Sequence, residues 1–192
     1  MTGAEAAWRG SNRLGLAVAG VAALLALGLS VLVWRGSEPG GIEDAWALIF
    51  GRPDLGPVDF QTFKRRATPN DALACPPDVC AHAQPEIVPP TYPVSGERLR
   101  LIVAEAALAD PDTQPVFVGR WDDHDRYLAR SRILRFPDTI DVLVIERSEN
   151  QATLALYARS QIGLGDFGVN RARIQRWLAR IAARVAAVEQ AR

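Results

Sequence analysis

An uncharged apolar run near the start of the chain constrains the fold more than any other feature. It begins at Leu14, ends at Trp34, and contains a single clearly polar residue, Ser30. A helix rises about 1.5 Å per residue, so a run of this length covers roughly 30 Å, the thickness of a bilayer's hydrocarbon core. We predict one transmembrane helix over residues 14–34, with the lipid bilayer as its partner. Trp34 and Trp8 suit the two membrane interfaces.

Two other interpretations of this run compete with an uncleaved anchor. A cleaved secretory signal has an apolar region of about 7–15 residues followed by small residues at the cleavage site. Here the run is longer, and Val33, Trp34 and Arg35 stand where small residues are needed. A buried helix of a soluble core rarely stays uncharged for this length. The pattern therefore favours the anchor.

The charges that flank the run predict its orientation. Arg9 and Arg13 precede it, whereas Arg35 alone follows it closely. Positive residues accumulate on the cytoplasmic side of a membrane helix. We predict a single-pass inner-membrane protein, with a disordered cytoplasmic tail (residues 1–13) and a C-terminal domain outside, in a periplasm or its equivalent.

The segment after the anchor, residues 35–68, is predicted to connect it to the folded domain, residues 69–192. Residues 35–41 (RGSEPGG) indicate a flexible linker. Residues 42–50 (IEDAWALIF) predict a short amphipathic helix, which either lies on the bilayer surface or packs on the domain; we favour packing. From residue 51 to 93 prolines are dense, which excludes long helices and central strands. The apolar residues among them suggest a segment that wraps the domain.

The composition excludes several function classes. The 22 basic residues balance the 22 acidic ones, so no overall field attracts nucleic acid. Basic residues are not interleaved with aromatic side chains that would stack on bases, and we predict no nucleic-acid partner. No sequence pattern indicates a cofactor.

Cys75 and Cys80 are the only cysteines, and the chain between them contains two prolines. A local disulfide is the favoured interpretation, and it agrees with an oxidising compartment. Free thiols, a metal site and a redox pair are the alternatives. Zinc needs four ligands, and His82 and His124 are the only histidines. A redox pair usually has two residues between its cysteines. We predict no metal site.

Regular patterns begin at Ser95, a candidate N-cap for a helix that ends near Asp110. Four strand patterns follow at residues 116–121, 126–136, 140–147 and 153–161, joined by short connections that favour an antiparallel sheet. Residues 171–188 then form a strong amphipathic helix, with Asn170 as its candidate cap; Arg173 and the arginines after it lie mostly off the apolar face. We predict an α+β fold: a two-layer domain with a four-stranded antiparallel sheet and flanking helices.

The stretch YARSQIGLGDFGVNR, residues 157–171, carries a resemblance to a known family. It resembles the C-terminal signature of the bacterial and plastid domain-of-unknown-function family 1499, in which a strand ending in Arg-Ser precedes an Asp-x-Gly-Val-Asn-Arg helix start. Arg135, Phe136, Pro137 and Asp138 resemble the family's second motif, and Cys75 and Cys80 resemble its cysteine element with a spacing one residue shorter. The resemblance implies a fold but no activity, because the family is uncharacterised. The matching residues of the main signature are Arg159, Ser160, Gly163, Asp166, Gly168, Val169, Asn170 and Arg171.

Two interpretations of this signature remain open. A helix N-terminus flanked by Arg159 and Arg171 could hold a phosphate or carboxylate. Alternatively, Asp166 and Asn170 cap the helix, and the arginines pair with Asp138 or Asp166. The loop lacks the spacing of a phosphate-binding glycine motif, which favours the structural interpretation.

Catalytic chemistry is weakly indicated, and we predict no catalytic residues. Ser160 has no evident histidine and carboxylate partners. His124 falls in a predicted DDHD turn, which is more typical of a solvated turn than of a cation site. We therefore expect a non-enzymatic, membrane-anchored envelope domain that binds a partner membrane protein or an amphipathic ligand. The alternative is an enzyme or anion-binding domain that uses Arg159, Asp166 and Arg171.

Overall fold

The computed structural model describes residues 3–119 and 124–191, with side chains from residue 15 onward. The chain forms two compact units. The smaller unit contains the chain up to Ile49 together with Ile133–Arg135, and the larger contains Phe50–Arg132 and Phe136–Arg192. The larger unit begins at Phe50 and contains residues 69–192, the range predicted for the α+β domain, apart from Ile133–Arg135.

Helix α1, Gly3–Arg35, dominates the smaller unit. Its segment Gly15–Arg35 has a mean hydropathy of 2.6 and is long and apolar enough to span a membrane. The helix begins before Leu14, so the tail from Gly3 onward is helical instead of disordered as predicted. Once a helix exists, adding residues to its end costs far less than starting a new one. The side chains of Trp8, Arg9 and Arg13 lie outside the described part of the chain.

The connection that follows α1 is a series of hydrogen-bonded turns, whereas the sequence predicts a flexible linker. The Glu38 N–H donates to the Arg35 carbonyl at 2.9 Å, and the Gly41 N–H donates to the Glu38 carbonyl at 2.8 Å. A Cβ atom at Gly41 would collide with the carbonyl oxygens of Gly36 and Glu38. Gly41 therefore permits a close backbone approach that other residues would prevent.

Helix α2 spans Ile42–Phe50, as predicted. The indole N–H of Trp46 donates to the Leu134 carbonyl at 2.6 Å, and Arg135 pairs with Glu43 at 2.8 Å. Both contacts lie within the smaller unit, which includes Ile133–Arg135.

The larger unit contains an antiparallel sheet of five strands, in the order β1-β5-β4-β3-β2. The prediction of four strands is wrong by one edge strand, β1. This strand has four residues between Pro69 and Pro76, too few to show an alternating pattern, and it pairs with β5 through Asp71 and Arg159. The strands are β1 (Asp71–Ala74), β2 (Thr113–Val118), β3 (His124–Arg130), β4 (Pro137–Ser148) and β5 (Gln151–Ser160).

The strand boundaries differ from the prediction mainly around β3. Its last residue is Arg130, not Phe136, because the Ser131 N–H donates to the Phe136 carbonyl at 2.9 Å and closes a turn. The Ser131 hydroxyl also accepts the Phe136 N–H. His124 and Asp125 belong to β3 itself, while Trp121, Asp122 and Asp123 of the predicted strand end and turn lie outside the described residues.

Two helices cover one face of the sheet. Helix α3, Gly96–Leu108, begins at the predicted N-cap Ser95, whose hydroxyl accepts the Arg98 N–H at 3.3 Å. Helix α4, Val169–Gln190, buries Trp177 against Tyr127 of the sheet, with ring centroids 5.7 Å apart. This helix-side core holds the larger share of the buried side chains.

The proline-rich segment covers the opposite face, as predicted. Phe60 is buried, and Phe63 packs on Tyr157 with ring centroids 4.8 Å apart. Cys75 and Cys80 belong to this second core, together with Leu73 and Ala155. The central strands are therefore covered on both sides, and their side chains alternate between two cores.

Candidate functional site

The residues of the family signature divide between the two faces of the sheet. Successive side chains of a strand point to opposite faces, so Arg159 and Ser160 of β5 cannot serve one site. Ser160 faces the helices, and Arg159 faces the proline-rich segment. Each face carries its own buried polar cluster.

On the helix side, Asn170 is the centre of a buried network. Its amide N–H groups donate to the Ser160 hydroxyl at 2.9 Å and to the Asn70 carbonyl at 3.4 Å. Its carbonyl oxygen accepts a hydrogen bond from Arg173, and Arg173 pairs with Asp138 at 2.9 Å. All five residues are buried. The network joins the start of β4, the end of β5 and the first turns of α4.

Asn170 is therefore not the cap of α4, contrary to the prediction. The N-cap position is Gly168, whose φ of 79° is readily adopted only by glycine. Asp166 satisfies the free N–H groups: its carboxylate accepts from the Gly168 and Asn170 N–H groups, each at 2.9 Å. Asp166 thereby joins the loop to the first turn of α4. Arg171 is exposed, and no partner is recorded for it among the described residues.

Asp110, at the end of α3, anchors a second group of arginines. Arg180 and Arg176 each lie 3.0 Å from its carboxylate. Burial alone would raise the pKa of the Asp110 carboxyl, but the hydrogen bonds and charges of these arginines outweigh it, and the pKa lies below its ordinary value. Asp110 and Arg173 were not predicted to belong to a cluster. In the sequence both lie beside the apolar face of a helix, at positions that are usually exposed to solvent.

On the opposite face, Arg159 is held by the proline-rich segment. Its guanidinium donates to the Gly56 carbonyl and pairs with Asp141 at 3.1 Å. Burial lowers the pKa of the Arg159 guanidinium, although the charge of Asp141 opposes this shift. The structure thus does not bring Arg159 together with Asp166 or Arg171, and the predicted three-residue anion site is not assembled.

Asp141 is a fully buried carboxylate in the centre of the sheet. Besides Arg159, it contacts His124 Nε2 at 3.2 Å. An ionised carboxylate only accepts hydrogen bonds, so this contact requires a proton on Nε2 and fixes the orientation of the imidazole. Asp141 was not predicted as a site residue, because it lies within the apolar run of β4, where a charged residue is unexpected.

His124 also lines an open groove of about 510 Å³. Pro57, Val58, Phe60 and Leu143 provide apolar walls, and Asp59 and Gln61 are polar. The groove thus combines apolar walls with one imidazole oriented by a buried carboxylate. Concave sites of this composition are typical of small-molecule binding.

Further ion pairs connect the proline-rich segment to the sheet face opposite the helices. Arg126 makes a two-point contact with Asp54, at 2.7 and 2.8 Å. Burial raises the pKa of the Asp54 carboxyl, but its hydrogen bonds with Arg126 and the Gly56 N–H lower it more. At the β1 edge, Tyr157 donates to Asp71 at 2.6 Å, and Arg65 pairs with the same carboxylate. Segment and sheet are therefore joined on both sides of Arg159.

The predicted disulfide between Cys75 and Cys80 is confirmed, with an S–S distance of 2.02 Å. Both residues are buried in the second core. Among the described residues, no three histidine, cysteine, aspartate or glutamate side chains are grouped as metal ligands would be.

Comparison with known proteins gives a family and nothing closer. No curated protein and no solved structure matches the chain. The resemblance noted from the signature at residues 157–171 is confirmed by the family comparison. Residues 66–181, more than half of the chain, match the model of the family described as a protein of unknown function (DUF1499), and the chain belongs to this family.

Proposed function

We propose that this chain is a non-enzymatic, membrane-anchored domain that binds an amphipathic ligand in the groove beside His124. The groove supports the proposal because its walls are apolar while His124 supplies a polar group at one point. An amphipathic molecule presents the same combination. A segment of a partner membrane protein with an apolar side chain and a polar neighbour would make the same two kinds of contact in the groove.

The position of the imidazole favours a ligand with a polar head. Asp141 accepts from Nε2, and Nδ1 makes no hydrogen bond with the part of the chain that the structure describes, so it can bond a ligand. The apolar tail of such a ligand would lie along Val58 and Leu143.

We propose further that the domain faces the periplasm, with the N-terminus in the cytoplasm of a bacterial cell and α1 in the inner membrane. The apolar helix, the arginines before it and the disulfide support this topology. A reporter enzyme that is active only in the cytoplasm, fused after Arg192, should be silent. Activity of that fusion would reverse the topology, and recovery of a shortened chain in the soluble fraction would indicate a cleaved signal.

The binding proposal is tested with a photo-crosslinking fatty acid and the full chain in lipid nanodiscs. After irradiation and proteolysis, mass spectrometry should find the label on peptides that contain Val58 or Leu143. Val58→Glu should abolish this labelling, because a carboxylate on an apolar wall is costly to bury and repels an acidic head group. Val88→Glu is the matched control, since Val88 is exposed and does not line the groove. Equal labelling in both variants would refute the proposal.

A second candidate function is an enzyme in which His124 acts as a general base oriented by Asp141. The 3.2 Å contact between them at the groove wall is the observation that favours it. An enzyme that combines Arg159 with Asp166 and Arg171 has no such support, because Arg159 faces the other side of the sheet. Incubation with ester, amide and phosphodiester lipids distinguishes the two functions: turnover that is lost in His124→Gln would establish the enzyme.

A further inference from the structure

The loop between β5 and α4, residues 161–168, exposes an unusual amount of apolar surface. Leu164 is 82% exposed, and Phe167 is fully exposed. Val169, the first residue of α4, is 47% exposed. Single exposed apolar residues are common on proteins, but a leucine, a phenylalanine and a valine within six positions form a patch that typically marks an interaction surface.

Hydrogen bonds of the backbone hold this loop, while the Leu164 and Phe167 side chains remain exposed. Phe167 has a φ of 53°, a conformation that costs energy for a bulky residue. The Asp166 carboxylate stabilises it through the Gly168 and Asn170 N–H groups. The backbone held in this conformation presents the Phe167 ring to solvent.

The loop begins where the chain from the apolar helix reaches the larger unit. The Gln161 side-chain amide donates to the carbonyls of Phe50 at 2.9 Å and Arg52 at 2.8 Å. Phe50 is itself 46% exposed. Residues 36–49 separate Phe50 from the end of α1 at Arg35, and they form hydrogen-bonded turns and most of α2.

We infer that Leu164 and Phe167 insert into the interfacial layer of the same bilayer that holds α1, so that the domain is attached to the membrane at a second point. The inference rests on the proposed membrane anchorage. The short tether limits how far the start of this loop can lie from the membrane end of α1, and phenylalanine and leucine gain free energy on leaving water for the boundary of the acyl chains. Arg171, exposed in the first turn of α4, carries the positive charge that anionic lipid head groups attract.

The test measures the depth of a fluorophore attached at this loop. Because the two native cysteines form a disulfide, Phe167→Cys provides a single reactive thiol in the full chain. The chain is labelled with an environment-sensitive dye and reconstituted in nanodiscs of phosphatidylethanolamine and phosphatidylglycerol. Glu149→Cys is the matched control, since Glu149 is exposed in the β4–β5 turn, at the other end of β5. We expect quenching by a spin-labelled lipid to be several-fold stronger at position 167 than at position 149.

A second pair of variants separates insertion of the loop from insertion of the dye. With the dye on Leu164→Cys, the further substitution Phe167→Asp should reduce the lipid quenching, because a carboxylate resists insertion. Equally weak quenching at positions 167 and 149 would overturn the inference, as would quenching at 167 that requires native membrane proteins, which would indicate a protein partner. If the chain does not remain with the nanodiscs, the anchorage fails and the inference fails with it; a retained chain with weak quenching refutes the inference alone.

Discussion

Arg173 and Asp138 form an ion pair in which Nη2 lies 2.9 Å from Oδ2, and both side chains are more than nine-tenths buried. The pair joins α4 to the first residues of β4. Asn170 accepts a further hydrogen bond from the same guanidinium. A charge buried this deeply persists only where its partners remain, so the pair is a structural feature of the helix–sheet junction.

Replacement of Arg173 should therefore be far more damaging than replacement of Arg171. Arg173→Met leaves Asp138 buried without its counterion, and we expect the free energy of unfolding to fall by about 3–5 kcal/mol. Arg171→Ala is the matched control two residues earlier; as an exposed change it should stay within about 0.5 kcal/mol. Urea unfolding of the full chain in mild detergent measures both. Similar losses for the two variants would contradict the structural assignment.

Asn170 and Asp166 should also be distinguishable. Asp166→Ala removes the acceptor of two N–H groups at the start of α4, a loss of about 1 kcal/mol, as for an ordinary cap. Asn170→Ala leaves Ser160 and Arg173 with unmet hydrogen bonds in a buried site, which costs about 1–3 kcal/mol. Thermal unfolding of both variants in parallel gives the order. A greater loss for Asp166→Ala would mean that Asn170 is less important than its burial indicates.

The sequence was sufficient for features that depend on local patterns. The cap at Ser95, the helix at Ile42–Phe50 and the last helix follow from capping residues and apolar spacing. Strand β1 was not predictable in this way, because its pairing with β5 is a contact between residues far apart in the chain. The residues of the candidate site likewise divide into those that a local pattern identifies and those that depend on distant contacts. Asp166 was identified from its place before the last helix.

Other site residues needed tertiary information. Arg159 stands close to Asp166 in the chain, yet the alternation of β5 places the Arg159 side chain on the other face of the sheet. In the sequence, Asp141 interrupts an apolar strand. Its partners His124 and Arg159, which only the structure reveals, explain why a charge is present there. Both partners come from other strands, so no spacing within one segment could reveal the cluster.

From the pKa values of the three tyrosines we predict that the protein loses stability at alkaline pH. Burial raises the pKa of Tyr92 and of Tyr127 to about 12, and burial together with the hydrogen bond to Asp71 raises the pKa of Tyr157. In the unfolded chain tyrosine titrates near pH 10. Above that pH the unfolded state binds fewer protons than the folded state, so the stability falls as the pH rises toward the folded pKa values. Below pH 10 the contribution is fully present.

This alkaline effect is measured through tyrosinate absorbance. In the folded chain the absorbance should rise near pH 12, and in concentrated urea it should rise near pH 10. Each tyrosine contributes a slope of up to about 1.4 kcal/mol per pH unit between these values. Titration of any tyrosine near pH 10 in the folded chain would show that its hydroxyl is accessible to water.

Asp141 and Arg159 should prove energetically coupled. Asp141 is fully buried and Arg159 nearly so, and each is the other's charged partner at 3.1 Å. Asp141→Leu leaves a buried guanidinium without its counterion, and Arg159→Met leaves a buried carboxylate facing only His124; we expect each to lower the free energy of unfolding by about 3–5 kcal/mol. The double variant removes both charges, so its loss should be well below the sum of the two, by an interaction energy of roughly 1–3 kcal/mol.

His124→Gln keeps a donor near Asp141 and serves as the control, with a loss below about 1.5 kcal/mol. Urea unfolding of the four variants in the same detergent measures these losses, and additive losses would mean that the two charges do not stabilise one another.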